Sequence, residues 1–168
     1  AAGERAGITD RQRVLATPSL RVIADHIRSS VFLIADGVMP GNDGASYVLR
    51  RIIRRGLRHG YKLDINESFF YQLAEVVIDE MGSAYPTISE KKAEVSAILS
   101  QEEDRFSETL RQGMELLKKA VDQVKGKKLP GDIAFKLYDT YGFPVDLTAD
   151  VIREQGMRVD MDEFDVCM

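Results

Sequence analysis

Apolar residues recur every three or four positions along nearly the whole chain, and no stretch alternates with the period of two that builds a sheet face. From Thr17 onward, Leu20, Ile23, Ala24, Ile27, Val31 and Ile34 fall on one helical stripe. Thr17 can cap that helix, Pro18 suits its first position and Gly37 can close it. A loop of turn-forming residues, GVMPGNDGAS, follows. A second helix is predicted from about Tyr47 to His59, stopping near Gly60. Asn66 can cap a third, which carries Phe69, Phe70, Leu73, Val77 and Met81 and ends at Gly82. Over 89–124 the spacing predicts a long polar helix or helical pair with a narrow seam of Val95, Leu99, Phe106, Leu110, Leu117, Val121 and Val124. Beyond Leu129-Pro130-Gly131, Asp132 can cap a short helix ending at Gly142, and Asp146 another ending at Gly156. The expected fold class is all-α, a helical assembly with one long helix or helical pair.

The 168 residues, 44% of them hydrophobic and 30% charged, suffice for one domain with a buried core. The expected organisation is a single helical domain over 1–168. Residues 1–16 form a flexible lead-in, 17–63 a basic helical part, 64–126 a helical part with the long helix, and 127–168 the short helices. No apolar run approaches the roughly 18 residues that cross a bilayer, and AAGERAGITD lacks the layout of a signal peptide. A single cysteine, Cys167, cannot form an internal disulfide and suits a cytoplasmic location. The chain begins without Met and stops inside DMDEFDVCM, so it is expected to be a piece of a longer protein.

Charge divides along the chain. Residues 1–63 hold 11 basic and 5 acidic residues, a balance of +6; the remaining 12 basic and 22 acidic residues give −10. The basic part is concentrated in YVLRRIIRRGLRHGYK, where no acid occurs between Asp43 and Asp64. On a helical wheel of roughly 100° per residue, Arg50, Arg51, Arg54, Arg55, Arg58 and Lys62 fall within about 140° of arc. Leu49, Ile52, Ile53, Gly56 and Leu57 take the other side. Forked guanidinium donors match phosphate oxygens, and adjacent cations repel one another unless an anion offsets them. Nucleic acid is one such anion; internal carboxylates that neutralise part of a solvated face are the other. His59 is expected to join the basic face.

In the preceding loop, Asn42 stands near the N-terminus of this helix, either as a polar contact for a ligand or as a turn or cap residue. Asp139, in KLYDTYGFP, lies in an aromatic and aliphatic setting where a carboxylate is costly without a partner. Backbone hydrogen bonds nearby would satisfy it. Other chemistry is poorly provided for. Two histidines and one cysteine make no metal-ligand spacing, and the glycine-rich loop lacks the GxxxxGK[ST] pattern of a nucleotide P-loop. His26, beside an apolar stripe, reads as structural. Glu102, Glu103 and Asp104 read as solvated helix acids.

RVIADHIRSSVFLIADGVMPGN, YVLRRIIRRGLRHG and FKLYDTYGFPVDLTADV resemble, in order, the alanyl-tRNA synthetase family in the segment after its class II catalytic core. FFYQLAEVVIDEMG and EEDRFSETLRQGMELL extend the resemblance over nearly the whole chain. The resemblance implies a tRNA acceptor stem as partner, with Asn42 and Asp139 reading its G·U wobble pair and the six cations binding its backbone. Where the family commonly carries Arg-Gly before YVLRR, this chain has Ala45-Ser46, so that contact is not carried over. The family's aminoacylation site, with ATP and Mg²⁺, lies upstream, and its Zn²⁺-dependent editing domain lies downstream. The upstream catalytic domain is thus an expected partner. No cofactor or catalytic residue is expected within the chain, which by itself should aminoacylate nothing. A helical protein-interaction module acting through the long-helix seam is the alternative.

Overall fold

The computed structural model describes residues 10–65 and 67–168, with side chains from Thr17 onward. Eight helices and one short strand pair occur among them: α1 (Asp10–Ala35), α2 (Gly44–Lys62), α3 (Phe70–Met81), α4 (Pro86–Glu90), α5 (Lys92–Gln123), β1 (Lys128–Leu129), α6 (Gly131–Tyr141), α7 (Val145–Arg153), β2 (Arg158–Val159) and α8 (Met161–Cys167). The fold is all-α apart from β1 and β2, a two-residue parallel pair too short to leave a periodic signal. The chain divides into two compact units, one ending at Phe106 and one running from Ser107 to Met168, with the boundary inside α5.

In the first unit α1 packs against α2, α3 and α4. Ile23, Ile27, Val31 and Ile34 form the buried stripe of α1, whereas Ala24, expected on it, is exposed. The first helix starts at Asp10 rather than after Thr17, so Pro18 lies inside it, where its ring leaves one helical carbonyl without the usual N–H donor. The second helix runs on to Lys62, past Gly60. Gly56 and Gly60 serve close approach there: a Cβ on them would lie 2.5 Å from Phe70 Cε2 and 2.3 Å from Phe69 Cε1. The expected cap of α3, Asn66, and the first part of the lead-in, residues 1–9, lie outside the described residues.

The long helical region resolves into a short α4 and one continuous α5. Val95, Leu99, Phe106, Leu110 and Leu117 are buried within the chain itself. The seam is therefore not the exposed apolar face that an interaction module would need.

In the second unit α6 packs against α7 and α8, and β1 pairs with β2. Asp132 and Asp146 sit in the first turns of α6 and α7, but Pro130 and Pro144 hold the cap positions and neither helix has a side-chain cap bond. In α6 the first-turn N–H groups are taken instead by Glu163 Oε2, which accepts from Gly131 at 2.7 Å, and by Asp132 Oδ1, which accepts from Ile133 at 2.7 Å. Gly142 closes α6 in the left-handed region, at φ +64°.

Candidate nucleic-acid interface

Helix α2 does not present its six cations as one exposed strip. Arg50, Arg54 and Arg58, spaced four residues apart, make a row that faces the protein; Arg51, Arg55 and Lys62 make the neighbouring row, which faces solvent. Arg58 is only 4% exposed, and His59, expected on the basic face, is buried with its Nδ1 3.0 Å from Ser19 Oγ on α1. A single helix wheel cannot separate the two rows, because a second packing surface, α5, closes on one edge of the arc.

That second surface supplies an acid. Glu102, on α5, is 3% exposed, with its Oε1 3.0 Å from Arg54 Nε and 3.2 Å from Arg50 Nε. The Arg54 contact is aligned as a hydrogen bond, whereas Arg50 Nε lies within ion-pair distance without that alignment. The Arg54 guanidinium also stacks over Phe106, 4.7 Å from the ring centroid. Glu103, beside it, is 1% exposed and accepts the backbone N–H groups of Phe69, Phe70 and Tyr71. Both glutamates are thus buried rather than solvated; Asp104 is exposed, as expected. A buried carboxylate is tolerable only when paired and hydrogen-bonded, which each glutamate achieves differently. The 48 positions between Arg54 and Glu102 hide this pairing from any local pattern.

On the solvent side, Arg51 lies over the Tyr47 ring, 5.7 Å from its centroid. Met39, Tyr47 and Val48 are exposed apolar side chains on the loop and first turns that carry Asn42; the wheel places Tyr47 on the basic arc, whereas Met39 and Val48 were not singled out by the sequence pattern. His26 is half-buried; burial holds its pKa below the usual value, with the positive charge of Arg55 adding to the effect and Asp25 opposing it.

Asn42 is exposed and is not the cap of α2. Asp43 holds that position in extended backbone, without a side-chain cap bond. The Asn42 Oδ1 accepts from Arg50 Nη1, and Arg50 Nη2 donates to Pro40 O at 3.3 Å. One guanidinium therefore joins loop, helix and the buried Glu102. In the second unit, Asp139 lies near the end of α6 and is exposed, as is its neighbour Tyr138, which meets Phe164 edge-on at 5.9 Å. The apolar residues of KLYDTYGFP turn inward, with Leu137 and Phe143 buried, so the burial cost expected for Asp139 does not arise. Asn42 belongs to the first unit and Asp139 to the second.

Among the described residues no group of three or more His, Cys, Asp or Glu is arranged to hold a metal ion, and no helix is long and apolar enough to cross a membrane. Within the first unit, the exposed row of Arg51, Arg55 and Lys62 is chemically suited to contacting an anion, with Asn42 at the N-terminal end of the same helix.

Comparison with known proteins bears on the family of the chain. The family model described as tRNA synthetases class II (A) matches residues 2–168. The chain is 58% identical over 168 residues to the alanine–tRNA ligase of Methylococcus capsulatus, an alignment covering 100% of this chain and 19% of that protein. It is 57% identical over 150 residues to the alanine–tRNA ligase of Legionella pneumophila strain Lens, covering 89% of this chain and 17% of that one. With the alanine–tRNA ligase of Nitrosomonas eutropha it shares 52% identity over 165 residues, 98% of this chain and 19% of that protein. The chain therefore spans under a fifth of the length of these relatives.

Proposed function

This chain belongs to the class II (A) tRNA synthetases, and from that premise we propose that it is the segment of an alanine–tRNA ligase that binds the tRNA acceptor stem and recognises its G·U wobble pair. The complete protein would attach alanine to its tRNA using ATP, with aminoacylation and editing carried by parts outside this segment.

The observation that carries the reading is the junction of Asn42 with the basic helix. The exposed row of Arg51, Arg55 and Lys62 runs along α2, and Asn42 stands at its N-terminal end, bonded to Arg50. Phosphate contacts set register without reading sequence, whereas polar side chains beside them can read base edges. The wide, shallow minor groove of A-form RNA admits such side chains. A guanidinium only donates, so Arg50 holds the Asn42 carbonyl oxygen and leaves the NH₂ end of the amide to donate toward the groove. Asp139 can only accept when ionised, which suits the guanine amino group that a wobble pair leaves unpaired.

Binding of acceptor-stem minihelices carrying G·U or G·C, measured across a salt series, tests the reading. Affinity should fall steeply with salt and favour G·U. Salt-independent binding, or equal affinity for both stems, overturns it.

A further inference from the structure

Resting on the reading of Asn42 just given, we propose that Glu102 is a positioning residue, which acts through Arg50 to set the orientation of the Asn42 amide and thereby the discrimination between acceptor stems.

Glu102 sits on α5, within the first unit, and never reaches the surface at which RNA would lie. Its carboxylate is nevertheless placed between two side chains of α2, 3.2 Å from Arg50 Nε and 3.0 Å from Arg54 Nε. A group this buried cannot turn to water, and Phe106, fully buried one turn further along α5, supports Arg54 from its face. Arg50 is thereby drawn toward Glu102 at Nε by an ion pair without hydrogen-bond alignment, while its other two nitrogens reach the loop, Nη1 to Asn42 Oδ1 and Nη2 to Pro40 O. A planar guanidinium attracted to a buried carboxylate on one side and hydrogen-bonded to the loop on the other has little freedom to turn. The direction in which Asn42 presents its amide is consequently decided on α5, 60 positions away in sequence. Holding α5 against α2 would be a purely structural role, and it would predict lost stability with unaltered discrimination.

Asparagine occurs twice in the chain, at positions 42 and 66, so ¹⁵N-asparagine labelling of the full chain gives two side-chain amide pairs. Asn42→Ala identifies one of them. In Glu102→Gln, which keeps size and removes charge, the Asn42 amide signals should shift and lose their order. The G·U over G·C affinity ratio should fall about tenfold, on the scale of one base-edge contact. Asn42→Ala combined with Glu102→Gln should lose no more discrimination than Asn42→Ala alone, because the two act as one unit. An ordered, unshifted Asn42 amide in Glu102→Gln overturns the positioning. Fully additive losses overturn the route through Asn42. A loosened amide with an unchanged ratio in both single variants rejects instead the reading of Asn42 as a discriminating residue, and with it the link from Glu102 to discrimination. Should Glu102→Gln not fold, Arg50→Lys provides the same test, since it retains the charge and loses the fork that joins Glu102 to Asn42.

Discussion

Glu103 accepts the backbone N–H of Phe69 at 2.8 Å, and the same buried carboxylate takes the N–H groups of Phe70 and Tyr71 at 3.1 Å. A side chain 34 positions away thus satisfies the first turn of α3, which has no side-chain cap of its own.

Burial raises the Glu103 pKa above its ordinary value of 4.5, against the three N–H donors, which favour the anion. The folded chain therefore binds this proton more tightly than the unfolded chain does. The stability linked to that proton is fully present below the ordinary value and is lost as pH rises through the raised one. Glu103→Gln, which cannot ionise, should show a flatter stability curve in that window. The check is the denaturant midpoint of both proteins across the window. Parallel curves would remove the assignment. Glu103→Ala, which leaves buried donors without an acceptor, should cost about 3 kcal/mol.

Gly56→Ala should destabilise the fold although alanine is the better helix former. The propensity gain is about 1 kcal/mol. A Cβ at this position would lie 2.5 Å from Phe70 Cε2, and Phe70 is fully buried. Overpacking of that kind costs about 1–3 kcal/mol, so the clash should win. Chemical denaturation of the variant decides, and a gain in stability would show that Phe70 can move.

The two rows of α2 should respond differently to alanine. Arg51→Ala and Arg55→Ala should leave the melting temperature nearly unchanged, weaken binding to G·U and G·C stems alike and make the salt slope shallower. Arg54→Ala removes the aligned partner of buried Glu102 and should cost about 2 kcal/mol of stability before any effect on RNA, reduced from a fully buried case by the partial exposure of Arg54. Thermal melts alongside minihelix titrations separate the rows. Equal losses of stability in all three variants would dissolve the distinction.

Asn42→Ala and Asp139→Ala should behave in the opposite manner. Each is exposed, so the fold should tolerate its loss. Discrimination should drop by the roughly 1–3 kcal/mol of a base-edge contact, with affinity for the G·C stem mostly retained. The readout is the ratio of the two Kd values, and an unchanged ratio in both variants rejects the assigned roles.

Local pattern was enough to determine most of the helices, though not every end, since the first begins at Asp10 and α2 runs past Gly60 to Lys62. The stripe of Ile23, Ile27, Val31 and Ile34, the seam from Val95 to Leu117, and the stop at Gly142 all follow from spacing of roughly 3.6 residues per turn and from single-residue backbone preferences. The concentration of arginine on one side of α2, and the strings that place the chain in its family, are likewise written in order along the sequence. Only the tertiary structure decided which of those arginines face solvent. A wheel knows one helix and assigns it one buried side, but α2 packs on α1 and also meets Glu102 of α5, so Arg58 and His59 go inward and Arg50 and Arg54 turn to that carboxylate. Glu102 and Glu103 read as solvated for the same reason: their partners are the guanidiniums of α2 and the backbone of the α3 start, 32 or more positions away. The same holds for Asp139: the aromatic string around it predicts burial, but Leu137 and Phe143 take the inward face and leave Asp139 exposed. Periodicity records which side of an element is apolar, and the pairing of charges depends on what the fold brings to the other side.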